Sequence, residues 1–229
     1  PLENPSEKVD LYYFMQCLNT LKRDDDVVIS DAGSAFYVCA QAIEIKGNQR
    51  FVTSSSQAEM GFTIPACIGA AFAKDGDVIG VTGDGSFMMN MQELQTIAHY
   101  NLPVKVFVWN NDGYLSIRTT QKKFFEGREI GTDSESGISI PNIHKVVESF
   151  GIEYVYAHAD ELEESIKYTL DYDGPIICEV FCEKWQEVIP TLMGKKNEDG
   201  TITAKPLEDM YPFLSREEFH VNMIIKPLD

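Results

Sequence analysis

Gly83-Asp84-Gly85-Ser86 combines a carboxylate, two glycines and a hydroxyl directly after the apolar run VIGVT. Glycines let a backbone come close to an oxygen-rich ligand, and a helix opening at such a turn faces that ligand with free N–H groups. A strand ending in a glycine turn before a helix is also where open α/β sheets bind ligands. Asp84 is then a carboxylate aimed into a crevice, and Ser86 is placed to cap the helix or to meet phosphate. Alone the turn is unspecific, because many sheets make glycine turns for steric reasons. It is not a dinucleotide fingerprint, lacking the third glycine, nor a P-loop, lacking the lysine.

A second turn changes that. Asn111 lies twenty-seven residues after Asp84, in Trp109-Asn110-Asn111-Asp112-Gly113-Tyr114, directly behind the strand-like run VKVFVW. Only one helix and one strand separate the two turns, so they are expected side by side at one edge of a sheet. A carboxylate, an amide oxygen and a nearby backbone carbonyl make an oxygen-only set suited to Mg²⁺, which often completes its shell with phosphate oxygens. Asn-Asp-Gly is also ordinary turn chemistry. The pair at this spacing is the specific signal.

The elements that must position these turns alternate. Strands are expected at Val27–Ser30, Val78–Thr82, Val104–Trp109, Tyr154–Tyr156 and Ile176–Phe181, most of them continuous apolar runs suited to strands covered on both faces. Helical stripes run from about Lys8 to Leu21 (Leu11, Phe14, Met15, Leu18, Leu21) and over Phe87–Tyr100 (Phe87, Met91, Leu94, Ile97, Ala98). A third holds Ile143, Val146, Val147 and Phe150, and a fourth holds Leu162, Ile166 and Leu170 behind an Asp160/Glu163 capping box. The pattern predicts an α/β fold, a doubly wound and mostly parallel sheet with helices on both faces. Lys122–Pro141 reads as a long loop, and the tail from about 185 shows no clear element until about Leu207.

Composition narrows the class. A net charge of −17 argues against nucleic acid as partner. No apolar run is long enough for a membrane span, and the polar opening PLENPSEKVD is not a signal peptide, so a cytoplasmic protein is expected. Five cysteines without CxxC spacing (Cys17, Cys39, Cys67, Cys178, Cys182) read as buried, reduced thiols. The four histidines are scattered, and the clusters Asp24–Asp26 and Glu161–Glu164 read as solvated faces.

Gly-Asp-Gly, twenty-four residues, then Asn-Asn resembles the thiamin diphosphate motif of the acetolactate synthase and pyruvate decarboxylase superfamily; the run GDGSFMMNMQELQTIAHYNLPVKVFVWNN looks especially like the acetolactate synthase group. The resemblance implies Asp84 and Asn111 as Mg²⁺ ligands through their side chains and Gly113 through its carbonyl, with Gly83, Gly85, Ser86, Tyr114 and Leu115 against the diphosphate. Ser56–Ala66 is similar to the family's Met-Gly-Phe-x-x-Pro-Ala segment. That likeness implies an Ala58 carbonyl accepting from the aminopyrimidine and a Met60 wedge under the cofactor; plain core packing is the other reading of Met60. Ser30–Ala35 occupies the family's other diphosphate turn, through Gly33, Ser34 and Ala35, although acetolactate synthases usually carry glutamine and histidine at the last two positions. Gln186–Pro190 and Pro206–Met210 resemble the family's closing tail.

The family's activating glutamate lies in a separate pyrimidine-binding domain, and Glu59 does not match it, so no catalytic residue is assigned here. The 229 residues, which begin without methionine, are therefore expected to be the single diphosphate-binding domain of a longer three-domain chain, the alternative being a small subunit that works with a separate partner, and to be inactive alone. Its partner would be a pyrimidine-binding domain of the same or another chain, in a homo-oligomer (dimer or tetramer). The implied activity is a carboligase or decarboxylase on a small 2-oxo acid. The acceptor is open: the family's channel tryptophan near Thr120 is missing, and Arg118 reads as either a solvated side chain or a carboxylate partner. A second class, a Mg²⁺-dependent flavodoxin-like phosphate-binding or regulatory domain without enzymatic activity, would need a further acid near Asp31 and a lysine on a later strand end; the sequence marks neither. A third, a purely structural domain, sits poorly with an intact Asp84 and Asn111.

Overall fold

The structure, a computed structural model, describes residues 7–74, 76–196 and 199–227. The chain divides into two compact units, Pro1–Gln186 and Glu187–Asp229.

The first unit is built on six strands: β1 (Val27–Ser30), β2 (Arg50–Val52), β3 (Val78–Gly83), β4 (Val104–Asn110), β5 (Glu153–Ala157) and β6 (Ile176–Phe181). Their order is β2-β1-β3-β4-β6-β5, and every pair is parallel. The chain thus leaves β1 for β2 on one side and returns to β3 on the other, a reversal that opens a crevice at the strands' C-terminal ends. β3 and β4 pair from Val78 with Val104 to Gly83 with Trp109, so the residues that follow each emerge side by side.

Helices cover both faces: α1 (Leu11–Leu21), α2 (Gly33–Ala42), α3 (Thr63–Ala73), α4 (Asp84–Phe87), α5 (Leu94–Tyr100), α6 (Leu115–Phe124), α7 (Ile143–Ser149) and α8 (Leu162–Asp171). α1 starts at Leu11 rather than Lys8, because the Asp10 side chain accepts from the N–H groups of Tyr12 and Tyr13 and closes the helix start. Its Phe14 sets edge-on against Phe107 and Trp109, each at 5.2 Å between ring centres. On the opposite face Ile64, Cys67, Phe87, Leu94, Ile97, Ile143 and Val147 pack against Ile29, Val78, Val104, Val106 and Val108.

Two expected elements differ. Phe87–Tyr100 is not one helix: α4 ends at Phe87, a 3₁₀ turn covers Met91–Glu93, and α5 follows. Asn90 leaves helical geometry and donates its side-chain amide to the Gly61 carbonyl at 2.9 Å, which ties this break to a neighbouring turn. The Asp160/Glu163 capping box does not form either, because a 3₁₀ turn at Ala159–Glu161 precedes α8 and makes Glu161 its cap, with no side-chain cap bond. Of the acidic cluster Asp24–Asp26, Asp26 is buried rather than solvated; it accepts from the Arg23 N–H at 2.7 Å.

In the second unit, β7 (Gly194–Lys196) and β8 (Ile202–Ala204) form an antiparallel hairpin where the sequence offered no element. α9 (Arg216–Asn222) is capped by Ser215, and the buried Asp209 accepts from Arg216 and Lys205.

Candidate active site

Asp84 ends up buried at the first position of α4. One carboxylate oxygen accepts the Gly85 N–H at 2.6 Å and the other the Gly113 N–H at 2.9 Å. The two turns therefore meet at the ends of β3 and β4. Burial pushes the Asp84 carboxyl up from 3.8 to about 6, against the pull of these N–H groups and of Arg118. A carboxylate offers about four lone-pair sites, so two backbone donors leave room for further ligands.

The second turn is shaped for close approach. Asp112 and Gly113 are both left-handed, at φ 61° and 110°. A Cβ on Gly113 would lie 2.3 Å from the Thr132 carbonyl, which also accepts the Tyr114 N–H at 2.8 Å. The Tyr114 ring lies against Gly85, where a Cβ would stand 2.2 Å from its Cε1. Asn110 holds the turn from the sheet side: its Oδ1 accepts the Asp112 N–H, and its Nδ2 donates to Glu179. The Asn111 Oδ1 is buried and has no hydrogen-bond partner. An oxygen left so is costly unless something absent from the protein meets it.

The other predicted turns converge on the same edge. Gly33, at φ 57°, opens α2, and a Cβ on it would lie 3.5 Å from the Ser116 hydroxyl of α6. No side chain caps the start of α2 or α6, so their first N–H groups face the crevice without a side-chain partner. Ser34, Ala35, Ser86 and Leu115 are buried nearby in sequence. Asp31, at the end of β1, accepts from the Ala32 N–H and the Thr82 hydroxyl, and burial raises its pKa. Ala58 is left-handed at φ 48°, and Met60 is 37% exposed, so core packing does not explain it. Their turn is joined to the segment behind α4 through the Asn90–Gly61 bond.

Sequence reasoning missed several contributors. Arg118 is neither solvated nor open to a substrate carboxylate: its side chain is fully buried and donates to backbone carbonyls. Thr132 and Asp133, in the segment expected to be a loop, are buried against the second turn. Lys184 reaches the same edge and pairs with Asp112 and Asp133, at 3.1 and 2.9 Å. None of these carries a local motif; only its place in the fold marks it.

A separate cleft of about 900 Å³ opens at the ends of β4, β6 and β5, lined among others by His144, Tyr154, His158 and Glu179. It reaches the second turn through Asn110 and Asp112 but includes neither Asp84 nor Asn111, so donor chemistry rather than volume marks the site. Among the described residues no three His, Cys, Asp or Glu side chains gather as a metal centre. A site with one carboxylate, one orphaned amide oxygen and unused helix N–H groups fits an oxygen-seeking dication that arrives with an anionic ligand.

Residues 31–180 match the family model described as the C-terminal TPP binding domain of thiamine pyrophosphate enzymes, TPP being thiamin diphosphate. The chain belongs to this family. Among its relatives is the acetolactate synthase large subunit of Porphyra purpurea, 34% identical over 80% of this chain and 31% of that protein. The isozyme 2 large subunit of Escherichia coli is 32% identical over 82% and 34%. A solved relative in fold is the thiamine diphosphate-dependent 4-hydroxybenzoylformate decarboxylase of Rhodococcus jostii RHA1, with a TM-score of 0.67, 25% identity, and coverage of 78% of this chain and 33% of that one. The chain thus spans about a third of the length of these relatives. Family membership displaces the reading as a flavodoxin-like phosphate receiver. No helix among the described residues is long and apolar enough to cross a membrane.

Proposed function

We propose that this domain holds the diphosphate of thiamin diphosphate through Mg²⁺, with the Asp84 and Asn111 side chains and the Gly113 carbonyl as protein ligands. The observation that carries the reading is the buried, unpartnered Asn111 Oδ1 at a turn whose Gly113 N–H holds Asp84. Mg²⁺ takes about six oxygens, so three from the protein leave places for phosphate. The uncapped starts of α2 and α6 supply N–H groups to the remaining phosphate oxygens. Gly33, Ser34, Ala35, Gly83, Gly85, Ser86, Tyr114 and Leu115 line that diphosphate.

The left-handed Ala58 presents its carbonyl to the aminopyrimidine, and the exposed Met60 supports the cofactor from below. When bound, thiamin diphosphate supplies the carbon nucleophile that releases CO₂ from a 2-oxo acid. This chain's own residues bind and orient. The activating glutamate comes from a pyrimidine-binding domain on the same or a partner chain, within a dimer or tetramer, so the 229 residues alone are inactive.

Calorimetry with thiamin diphosphate tests this. Heat of binding is expected only with Mg²⁺ and is expected to vanish in Asp84→Ala. Binding that survives a chelator, or that the substitution leaves untouched, defeats the proposal.

A further inference from the structure

Arg118 sits behind the second turn with none of its side chain exposed, and the Asp133 carboxylate lies 4.0 Å from it, at the outer limit of an ion pair. Nη1 donates to the Asp112 carbonyl at 2.7 Å and reaches the Thr132 carbonyl at 3.5 Å. Nη2 donates to the carbonyls of Asn111 at 3.0 Å and Lys184 at 2.7 Å. The Asp133 carboxylate stays 4.0 Å from Nη1 and is held more closely by the Lys184 ammonium, at 2.9 Å. The Trp185 ring lies 5.4 Å from the guanidinium carbon.

Spending the hydrogen bonds of a buried guanidinium on carbonyl dipoles, with only a long ion pair beside them, is an expensive way to fill space. What it secures is local: two successive carbonyls, of Asn111 and Asp112, are turned toward the arginine. The Gly113 N–H serves Asp84 instead, and the Asn111 Oδ1 is left unpaired. Asp112 holds φ 61°, a region that non-glycine residues enter at a cost, so the turn needs an external hold. A planar fork can span several carbonyls at once, which a lysine ammonium cannot.

We propose that Arg118 is the positioning residue of this turn: by fixing the peptide groups of Asn111 and Asp112 it sets the spacing of the Asp84, Asn111 and Gly113 oxygens to a small dication. It touches neither metal nor cofactor. The inference rests on the Mg²⁺–diphosphate reading above and adds to it a determinant of ion choice. Mg²⁺ demands near-ideal octahedral geometry, whereas Ca²⁺ tolerates looser and larger shells. Loosening the turn therefore hurts Mg²⁺ more than Ca²⁺.

The test uses the full 229-residue chain with thiamin diphosphate in excess. Mg²⁺ and Ca²⁺ each compete against Mn²⁺, whose free concentration is followed by electron paramagnetic resonance. Arg118→Lys is expected to weaken Mg²⁺ at least tenfold and Ca²⁺ less than threefold, so that the Mg²⁺/Ca²⁺ preference falls. Lys105→Met, which removes a buried side chain bound to the Tyr172 and Gly174 carbonyls, controls for lost stability and should keep the ratio. Should Arg118→Lys not fold, the neutral Arg118→Gln is read by the same ratio. An unchanged ratio in a folded Arg118 variant, or an equal fall in Lys105→Met, overturns the role of Arg118 alone. If the unsubstituted chain binds none of the three ions, the reading of the site itself fails and this inference goes with it.

Discussion

The Gly113 N–H donates to the Asp84 carboxylate at 2.9 Å across twenty-nine residues of sequence. That bond ties the end of β3 to the end of β4 and places a buried acid where backbone dipoles hold it. The arrangement is held against burial, which raises the acid's pKa from 3.8 to about 6.

A pH dependence follows. An acid whose pKa rises on folding binds its proton more tightly when folded. The metal-free chain therefore loses stability as pH climbs from 3.8 to about 6, and the loss is complete above that window. The shift corresponds to roughly 3 kcal/mol for this buried group. Asp84→Asn removes this group's share of the dependence, while Asp31 and Asp26, also raised by burial, keep theirs, and it should raise the neutral-pH stability of the metal-free chain. The gain falls short of that figure, because a single amide oxygen must serve both N–H donors. Urea unfolding of both proteins at pH 5 and 7.5, with chelator, measures it; parallel pH profiles would count against Asp84 as the titrating group.

Much of this edge was legible in the sequence. Asp84 and Asn111 advertise themselves because each follows an apolar run that reads only as a strand, and parallel pairing of neighbouring strands then brings them together. α3 was not legible: TIPACIGAAFA is apolar on nearly every side, so it has no polar face against which a helical period shows. β2 is three residues long and mostly exposed, too short for alternation. Arg118 was misread for a different reason. A charged residue in a polar segment looks solvated, and only the fold reveals that carbonyls from Asn111, Asp112 and Lys184 enclose it.

The glycines of the two turns should separate folding from binding. At Gly83 an added Cβ meets nothing within 4 Å, and its φ of −78° suits any residue. Gly83→Ala is expected to change stability by less than about 0.5 kcal/mol while weakening cofactor binding, because the methyl group projects into open space, which the proposed function assigns to the diphosphate. Gly113→Ala meets the Thr132 carbonyl at 2.3 Å from a left-handed backbone, and should destabilise the chain by about 2–4 kcal/mol. Unfolding midpoints and thiamin diphosphate titrations on both variants decide it. Equal destabilisation of the two would contradict the geometry.

All five cysteines are free and buried. Burial pushes each thiol up, that of Cys178 to about 12, so thiolate is scarce at pH 8. A disulfide-exchange reagent should find almost no reactive thiol in the folded chain and five after denaturation. Rapid stoichiometric labelling of the native protein would refute this.

Glu179 links the second turn to the neighbouring cleft: one oxygen accepts from Asn110 and the other from the Tyr154 hydroxyl, each at 2.6 Å. Burial, and then the glutamate, drive the Tyr154 phenol well above its ordinary range. Tyr154 should stay protonated until alkali unfolds the chain, and a difference spectrum between the protein and Tyr154→Phe should show no phenolate absorbance below about pH 11, a unit above the ordinary tyrosine value. The same substitution leaves a buried carboxylate one donor short, at a cost of about 1.5–3 kcal/mol. Asn110 keeps its own bond to Glu179 and its bond from the Asp112 N–H, so the turn that carries Asn111 retains its sheet-side support. Mg²⁺-dependent cofactor affinity should accordingly change less than threefold in Tyr154→Phe even as its unfolding midpoint drops. A collapse of affinity comparable to that of Asp84→Ala would mean that the Tyr154–Glu179 pair, rather than the backbone bonds around Asp84, holds the turn in place.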